Sequence, residues 1–205
     1  MQALRHHPDH AMRLEILSPP DPGWQDAAML IRRHFHDRHG ATMTLPAVPV
    51  AVARSATGTV LGAAGLRDAD CGFFSQVYLD RPVARLLTER SGREVRDDDI
   101  LEVVSMACPR PIATLPLIEA IAANARSRGK SWGLFTATAS LAALLQRTGV
   151  PLVALASARP ECLPDAASWG RYYDTAPWVC ALHEGSEPLR FMPRRVRLSH
   201  TVLSA

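Results

Sequence analysis

The chain lacks most of the signatures by which a protein's chemistry announces itself. Lys130 is its only lysine, and 23 basic against 20 acidic residues leave a formal charge of +3. That excess is too small, and too little organised into stripes with aromatic residues, to suggest nucleic-acid binding. The four cysteines, Cys71, Cys108, Cys162 and Cys180, form no CxxC pair. Nothing therefore predicts a disulfide scaffold or a zinc ribbon, and reduced thiols in a cytosol are the default. No HExxH or related ligand spacing is present, so no metal is expected. The GxSxG elbow, the P-loop and the GxGxxG turn are missing too. The longest apolar stretch, around Val150–Ala156, falls far short of the ~20 residues that span a bilayer. The segment MQALRHHPDHAMRLEIL has no signal-peptide core. These absences predict a soluble cytoplasmic protein without a tightly bound cofactor.

What is present is core-forming sequence in an α/β rhythm. A chain of 205 residues suffices for one domain with a sizeable core. Residues 1–11 are expected to be a tail, 12–185 the domain, and 186–205 a basic tail. Strands are predicted at Met12–Leu17, Ala47–Ala53, Thr59–Leu66, Asp99–Ala107, Ser131–Ala137, Leu152–Ala158 and Trp178–His183. Helices are predicted over Gln25–His39, Leu79–Thr88, Leu115–Arg128 and Ala139–Arg147, with Gly40 and Gly129 ending two of them. A hairpin early and crossovers late predict an α/β fold built on a twisted mixed sheet. In it Ile100–Ala107 and Ser131–Ala137 are neighbouring parallel strands linked by Leu115–Arg128.

Polar residues embedded in apolar runs mark the candidate site, because an unpaired buried polar group is costly. Glu102, in ILEVVSMA, is the sharpest: burial raises a carboxyl's pKa and makes it a proton acceptor near neutrality. It serves equally well as the partner of a buried arginine such as Arg67. Strand alternation puts Glu102, Val104 and Met106 on one face and Leu101, Val103 and Ser105 on the other. Arg67, ending a buried strand, suits a carboxylate or phosphate. In YLDRP, Asp80 fits a helix N-cap with Pro82 in the first turn, which leaves Tyr78 and Arg81 as candidate substrate contacts. In FTAT, Phe135, Thr136 and Thr138 precede a helix whose N-terminus favours an anion, and Thr138 also reads as its N-cap. Ser105, Trp169 and Tyr172, in SMA and WGRYY, complete the substrate-binding candidates. Cys108 reads as a buried thiol before a nucleophile. His34, His36 and His39 do not converge on one helix face.

These blocks resemble a known family. VLGAAGLRDAD, YLDRPV, Leu101-Glu102-Val103 ahead of Met106-Ala107, WGLFTAT, RTGVP and WGRYY occur in the order and spacing of the thermostable hemolysin family. That family is similar to the autoinducer synthases and to the wider GNAT acyltransferases. The resemblance runs from about Ile31 to Leu182 and implies a GNAT-like fold and N-acyl transfer from a thioester. It aligns Arg67 and Glu102 with the arginine and glutamate beside the acyl-transfer site. The chain departs from the family in having Gln76-Val77 for a glutamate–glutamine pair. It also has Val104-Ser105-Met106 where the family has Gly-Asn-Leu.

The resemblance implies an acyl thioester as co-substrate, on CoA or on an acyl carrier protein. CoA enzymes hold pyrophosphate on a Gly-rich loop, whereas CPRPIATLP loses three N–H donors to Pro109, Pro111 and Pro116. A carrier protein is therefore the expected donor, and Arg110, Arg126, Arg128 and Lys130 suit its acidic surface. The acceptor is expected to be the amine of a small molecule such as an amino acid. Two other functions remain open: a membrane-lytic protein, as the family name suggests, and a non-catalytic acyl-binding paralogue.

Overall fold

The computed structural model describes residues 12–183 and 185; the expected tails at 1–11 and 186–205 lie outside them. A seven-stranded sheet runs in the order β1-β2-β3-β4-β5-β7-β6. Its strands are β1 (Arg13–Leu17), β2 (Val50–Arg54), β3 (Val60–Arg67), β4 (Ile100–Ala107), β5 (Trp132–Ala137), β6 (Leu152–Ser157) and β7 (Trp178–His183). Strands β1 to β4 form an antiparallel meander, β4 and β5 are parallel, and β7 lies antiparallel between β5 and β6. The expected pair of central parallel strands is present, with helix α3 (Thr114–Ser127) in the connection between them.

Strict alternation along the strands sorts the core into two layers. Val50, Val52 and Ala63 face α1 (Trp24–His39), which buries Ala27, Ala28, Ile31 and Phe35 against them. Ala51, Ala53, Ala64, Leu66 and Leu101 face α3, which contributes Leu117, Ile121 and Ala125. Helix α4 (Ala139–Arg147) adds Leu145 beside Val150 and Leu182 on the α3 side. Helix α2 (Val83–Ser91) packs with Ile100, Trp132 and Leu134 on the α1 side. Gly40 ends α1 at φ 68°, as its position predicts.

Two expectations are corrected. The helix after YLDRP starts at Val83, not Leu79, and Asp80 does not cap it. Pro82 holds the N-cap position, and the Val83 amide is taken by Gln76 Oε1 at 2.9 Å. The preceding residues Phe74–Tyr78 form a 3₁₀ turn.

The second correction concerns β4. Against β3 it advances three residues, Val104 to Ala107, while β3 advances two, Gly65 to Ala63. Ser105 absorbs the extra residue at φ 52°, an uncommon backbone for a non-glycine. Beyond the bulge the faces exchange, so Met106 packs with the α3 layer rather than beside Glu102. Gly65 permits this close approach, since a Cβ there would come within 2.8 Å of Val104 Cγ2. The β4–β5 ladder ends at Val103 and Phe135, although both strands continue, and a gap opens between them.

The WGRYY segment is stitched to the end of α1. The Thr42 amide donates to Ser168 O, and the Arg171 amide to His39 O. Gly170 lies at φ 53°, ψ −125°, and a Cβ there would overlap the His39 carbonyl oxygen. Gly170→Ala should therefore cost about 1–3 kcal/mol. Thermal and denaturant unfolding measure this, and an unchanged midpoint would contradict the close approach.

Candidate active site

A cavity of about 680 Å³ occupies the region where β4 and β5 part. On the α1 side its walls are His34, Phe35, Arg38 and His39 of α1, Phe74 and Ser75 of the 3₁₀ turn, and Trp169 and Tyr172. Their rings form one continuous aromatic surface. Trp169 lies 5.5 Å from Phe74 and 6.1 Å from Phe35 between centroids, and His39 stands edge-on to Tyr172 at 5.4 Å. On the other side the lining continues over Cys108, Pro109, Pro111 and Thr114 to Ser140, Leu144 and Arg147 of α4.

A second, apolar cavity of about 90 Å³ lies under α3 and α4. Val103, Ser105, Met106, Thr136 and Leu141 line both cavities, so the two adjoin at the β4–β5 gap. Ser105 and Thr136 are the polar groups of that junction.

Glu102 is fully buried and sits behind the cavity wall. Its two oxygens accept from the amides of Phe74 at 2.6 Å and Ser75 at 2.7 Å. Ser75 Oγ in turn lies 3.0 Å from Thr136 Oγ1, both residues lining the cavity. Burial pushes the Glu102 carboxyl above its ordinary range; the hydrogen bonds from Ser75 and Phe74, and the Arg67 charge, oppose that shift without cancelling it. Arg67 Nε is 4.0 Å from Glu102 and donates at 2.9 Å to Gly72 O, while Nη2 donates to Cys71 O. Arg67 borders the cavity, and its Nε and Nη2 each donate to a carbonyl of the 71–72 loop.

The other expected residues divide. Tyr78 lines the cavity, with its hydroxyl 2.6 Å from that of Tyr173, and burial raises its pKa. Phe135 borders only the smaller cavity. Thr138 both lines the larger cavity and caps α4, accepting from the Leu141 amide at 3.3 Å. Asp80 and Arg81 line neither cavity: Arg81 pairs with Asp80 and with Glu89 at 3.2 and 3.3 Å on the surface. Cys108 is a poor nucleophile, its thiol pushed up to about 11 by burial. Of the basic residues expected to meet a carrier, Arg128 and Lys130 are both bound to Asp68.

Among the lining residues that sequence reasoning did not assign to the site are Ser75, His34, Arg38 and His39. The α1 residues flank buried Phe35 at i−1, i+3 and i+4, and that spacing was their one available signal. Among the described residues, no group of three His, Cys, Asp or Glu is arranged to hold a metal ion.

The sequence model of the thermostable hemolysin family matches residues 17–186. The chain belongs to that family. This hemolysin-family protein shares its fold with LasI, an acyl-homoserine lactone (AHL) synthase, at TM-score 0.59 and 11% identity, over 84% of this chain and 90% of that one. It is also similar to FeeM, an N-acyl amino acid synthase from uncultured soil microbes, at TM-score 0.57 and 13% identity, covering 84% and 91%. The CoA-dependent acyl-homoserine lactone synthase BjaI superposes at TM-score 0.54 and 14% identity, covering 86% and 85%. At these identities the likeness is one of fold, and it is the expected GNAT-like one. No curated protein matches the hemolysin-family chain.

The raised pKa of Glu102 has a consequence for stability. A carboxyl that holds its proton more tightly when folded stabilises the protein below its unfolded pKa, near the ordinary 4.5. That contribution disappears as pH rises through the folded pKa. The stability difference, wild type minus Glu102→Gln, should thus fall as pH climbs from 4.5 and then level off. Denaturant unfolding across this range tests it; a difference that grows with pH would mean a depressed pKa instead.

Proposed function

We propose that this protein is an N-acyltransferase, moving a fatty acyl group from a thioester to the amine of a small molecule. The observation that carries the proposal is the adjoining pair of cavities at the β4–β5 gap. A polar, aromatic-walled chamber suits the amine, and the apolar pocket of about 90 Å³ under α3 and α4 suits the first few carbons of the acyl chain. The thioester carbonyl then lies in the gap, beside Ser105 and Thr136. Beyond Val103 the β4 backbone has lost its β5 partner while it still pairs with β3, and an N–H group on the β5 side would meet the developing oxyanion. The amine nitrogen attacks the carbonyl carbon, the C–S bond breaks, and the sulfur departs as a thiolate. The proton lost by the amine passes to Glu102.

Because Glu102 is buried, that transfer runs through hydroxyls: from Thr136 to Ser75, whose main-chain N–H donates to Glu102 and whose hydroxyl lies beside it. Arg67 keeps the neighbouring 71–72 loop and the carboxylate in register. The same network supports Glu102 as the anchor of the wall, so its variant needs a readout beyond loss of activity. Glu102→Gln should lower kcat by about 10²–10⁴ with little change in KM. It should also remove the rise of kcat with pH through the Glu102 pKa, and Ser75→Ala should act alike. Equal pH profiles in wild type and Glu102→Gln would remove Glu102 from proton transfer.

A carrier protein is favoured as the donor. Pro109, Pro111 and Pro116 remove N–H groups where a CoA pyrophosphate would be held, and the Thr114 amide is already bonded to Pro111 O. The fold itself does not choose, since BjaI is CoA-dependent. Among the described residues, no helix is long and apolar enough to cross a membrane, so a surface-active acylated product accounts better for lysis than a helical pore does.

Mass spectrometry of lipids from cells expressing wild type and Glu102→Gln is the direct test. Acylated amines are expected only with wild type, and identical lipid profiles would overturn the proposal. Leu141 lines both cavities, so Leu141→Trp should lower kcat/KM for long-chain thioesters about tenfold more than for short ones. A parallel decline at all chain lengths would locate the acyl chain elsewhere.

A further inference from the structure

The larger cavity is lopsided in charge. Arg38, Arg67, Arg147, His34 and His39 line it, and no aspartate or glutamate does. Arg67 is engaged with the Cys71 and Gly72 carbonyls and with Glu102. Arg147 sits on α4, across the gap from the aromatic chamber. Arg38 is left on the chamber's own side, and it makes no ion pair among the described residues. Its neighbour Asp37 is exposed and paired with Arg33 at 3.6 Å.

The α1 histidines register the resulting field. Burial lowers the pKa of both, and Arg38 lowers each further; on His39 the charges of His34 and Arg171 act in the same sense. Only Asp37, acting on His34, opposes this. A cationic ligand would find no carboxylate in the wall, whereas an anionic one meets the exposed Arg38 guanidinium, which has no ion pair among the described residues, beside the mutually tilted rings of Phe35, Trp169 and Tyr172.

We infer that the acceptor is an amine bearing a free carboxylate, an amino acid rather than its amide or a cationic amine, and that Arg38 holds that carboxylate. The inference rests on the acyl-transfer proposal and narrows its substrate class. It moves carboxylate recognition from Arg67, the sequence candidate on β3, to a residue of α1. Arg38 acts in binding, so its effect falls on KM for the amine.

The full-length protein, supplied with decanoyl carrier protein or decanoyl-CoA, is assayed with leucine and with leucinamide. Leucine should have a KM at least tenfold lower. Arg38→Gln should raise the leucine KM about tenfold, leave kcat and the thioester KM unchanged, and barely affect leucinamide; Arg38→Lys should recover part of the loss. Equal KM values for the two amines in wild type would overturn the inference. So would a rise confined to the thioester KM, which would put the donor's phosphate on Arg38. Calorimetric titration of leucine without any donor separates the two levels. Binding abolished by Arg38→Gln, in a protein that turns over no thioester, supports the carboxylate site while the acyl-transfer proposal fails. Absence of binding and of turnover overturns both.

Discussion

The cost of burying a carboxylate governs the arrangement of this molecule. Glu102 lies in the middle of the sheet with no solvent contact, and such a group persists only when its oxygens are occupied. The amides of Phe74 and Ser75 occupy them, which pins the 3₁₀ turn of residues 74–78 onto the sheet. From that turn Gln76 caps α2, Tyr78 reaches Tyr173, and Ser75 reaches Thr136 on β5. One buried charge thereby ties β4, β5, α2 and the aromatic segment into a single wall.

The bulge at Ser105 provides the space that this wall encloses. An extra residue on β4 turns its backbone away from β5 just beyond Val103, so two parallel strands that begin as neighbours end apart. Small residues on β3 make room: Cβ atoms at Gly62 and Gly65 would crowd Cys108 Sγ and Val104 Cγ2, each at 2.8 Å. The gap brings Ser105 and Thr136 to the junction of the two cavities. The candidate site arises from the interruption of a regular ladder.

Charge completes the division of labour. Glu102 stays behind the wall, while among the described residues the cavity is lined by cationic and neutral side chains. Ser75 and Phe74 form the layer between Glu102 and the cavity. Such a layer lets a buried carboxyl keep a raised pKa without repelling an anionic substrate.

The sequence alone determined the elements and their order, because apolar periodicity and glycine punctuation act locally: α1 ends at Gly40, α4 spans Ala139–Arg147, and the β4–β5 pair is parallel. Glu102 was legible for the same reason, as a charge in an apolar strand. The family motifs carried the fold, and the structure agrees with it. What tertiary structure decided was direction and company. Met106 changed faces because the bulge is set by pairing with β3, which no periodicity in β4 reveals. Asp80 lost the cap to Gln76, a residue seven positions before the amide it bonds. Arg67 was drawn to loop carbonyls, and Arg38 and His39, unremarkable on a helical wheel, became cavity wall once WGRYY docked on α1. Contacts between segments distant in sequence decide where side chains point, and the site depends on those contacts.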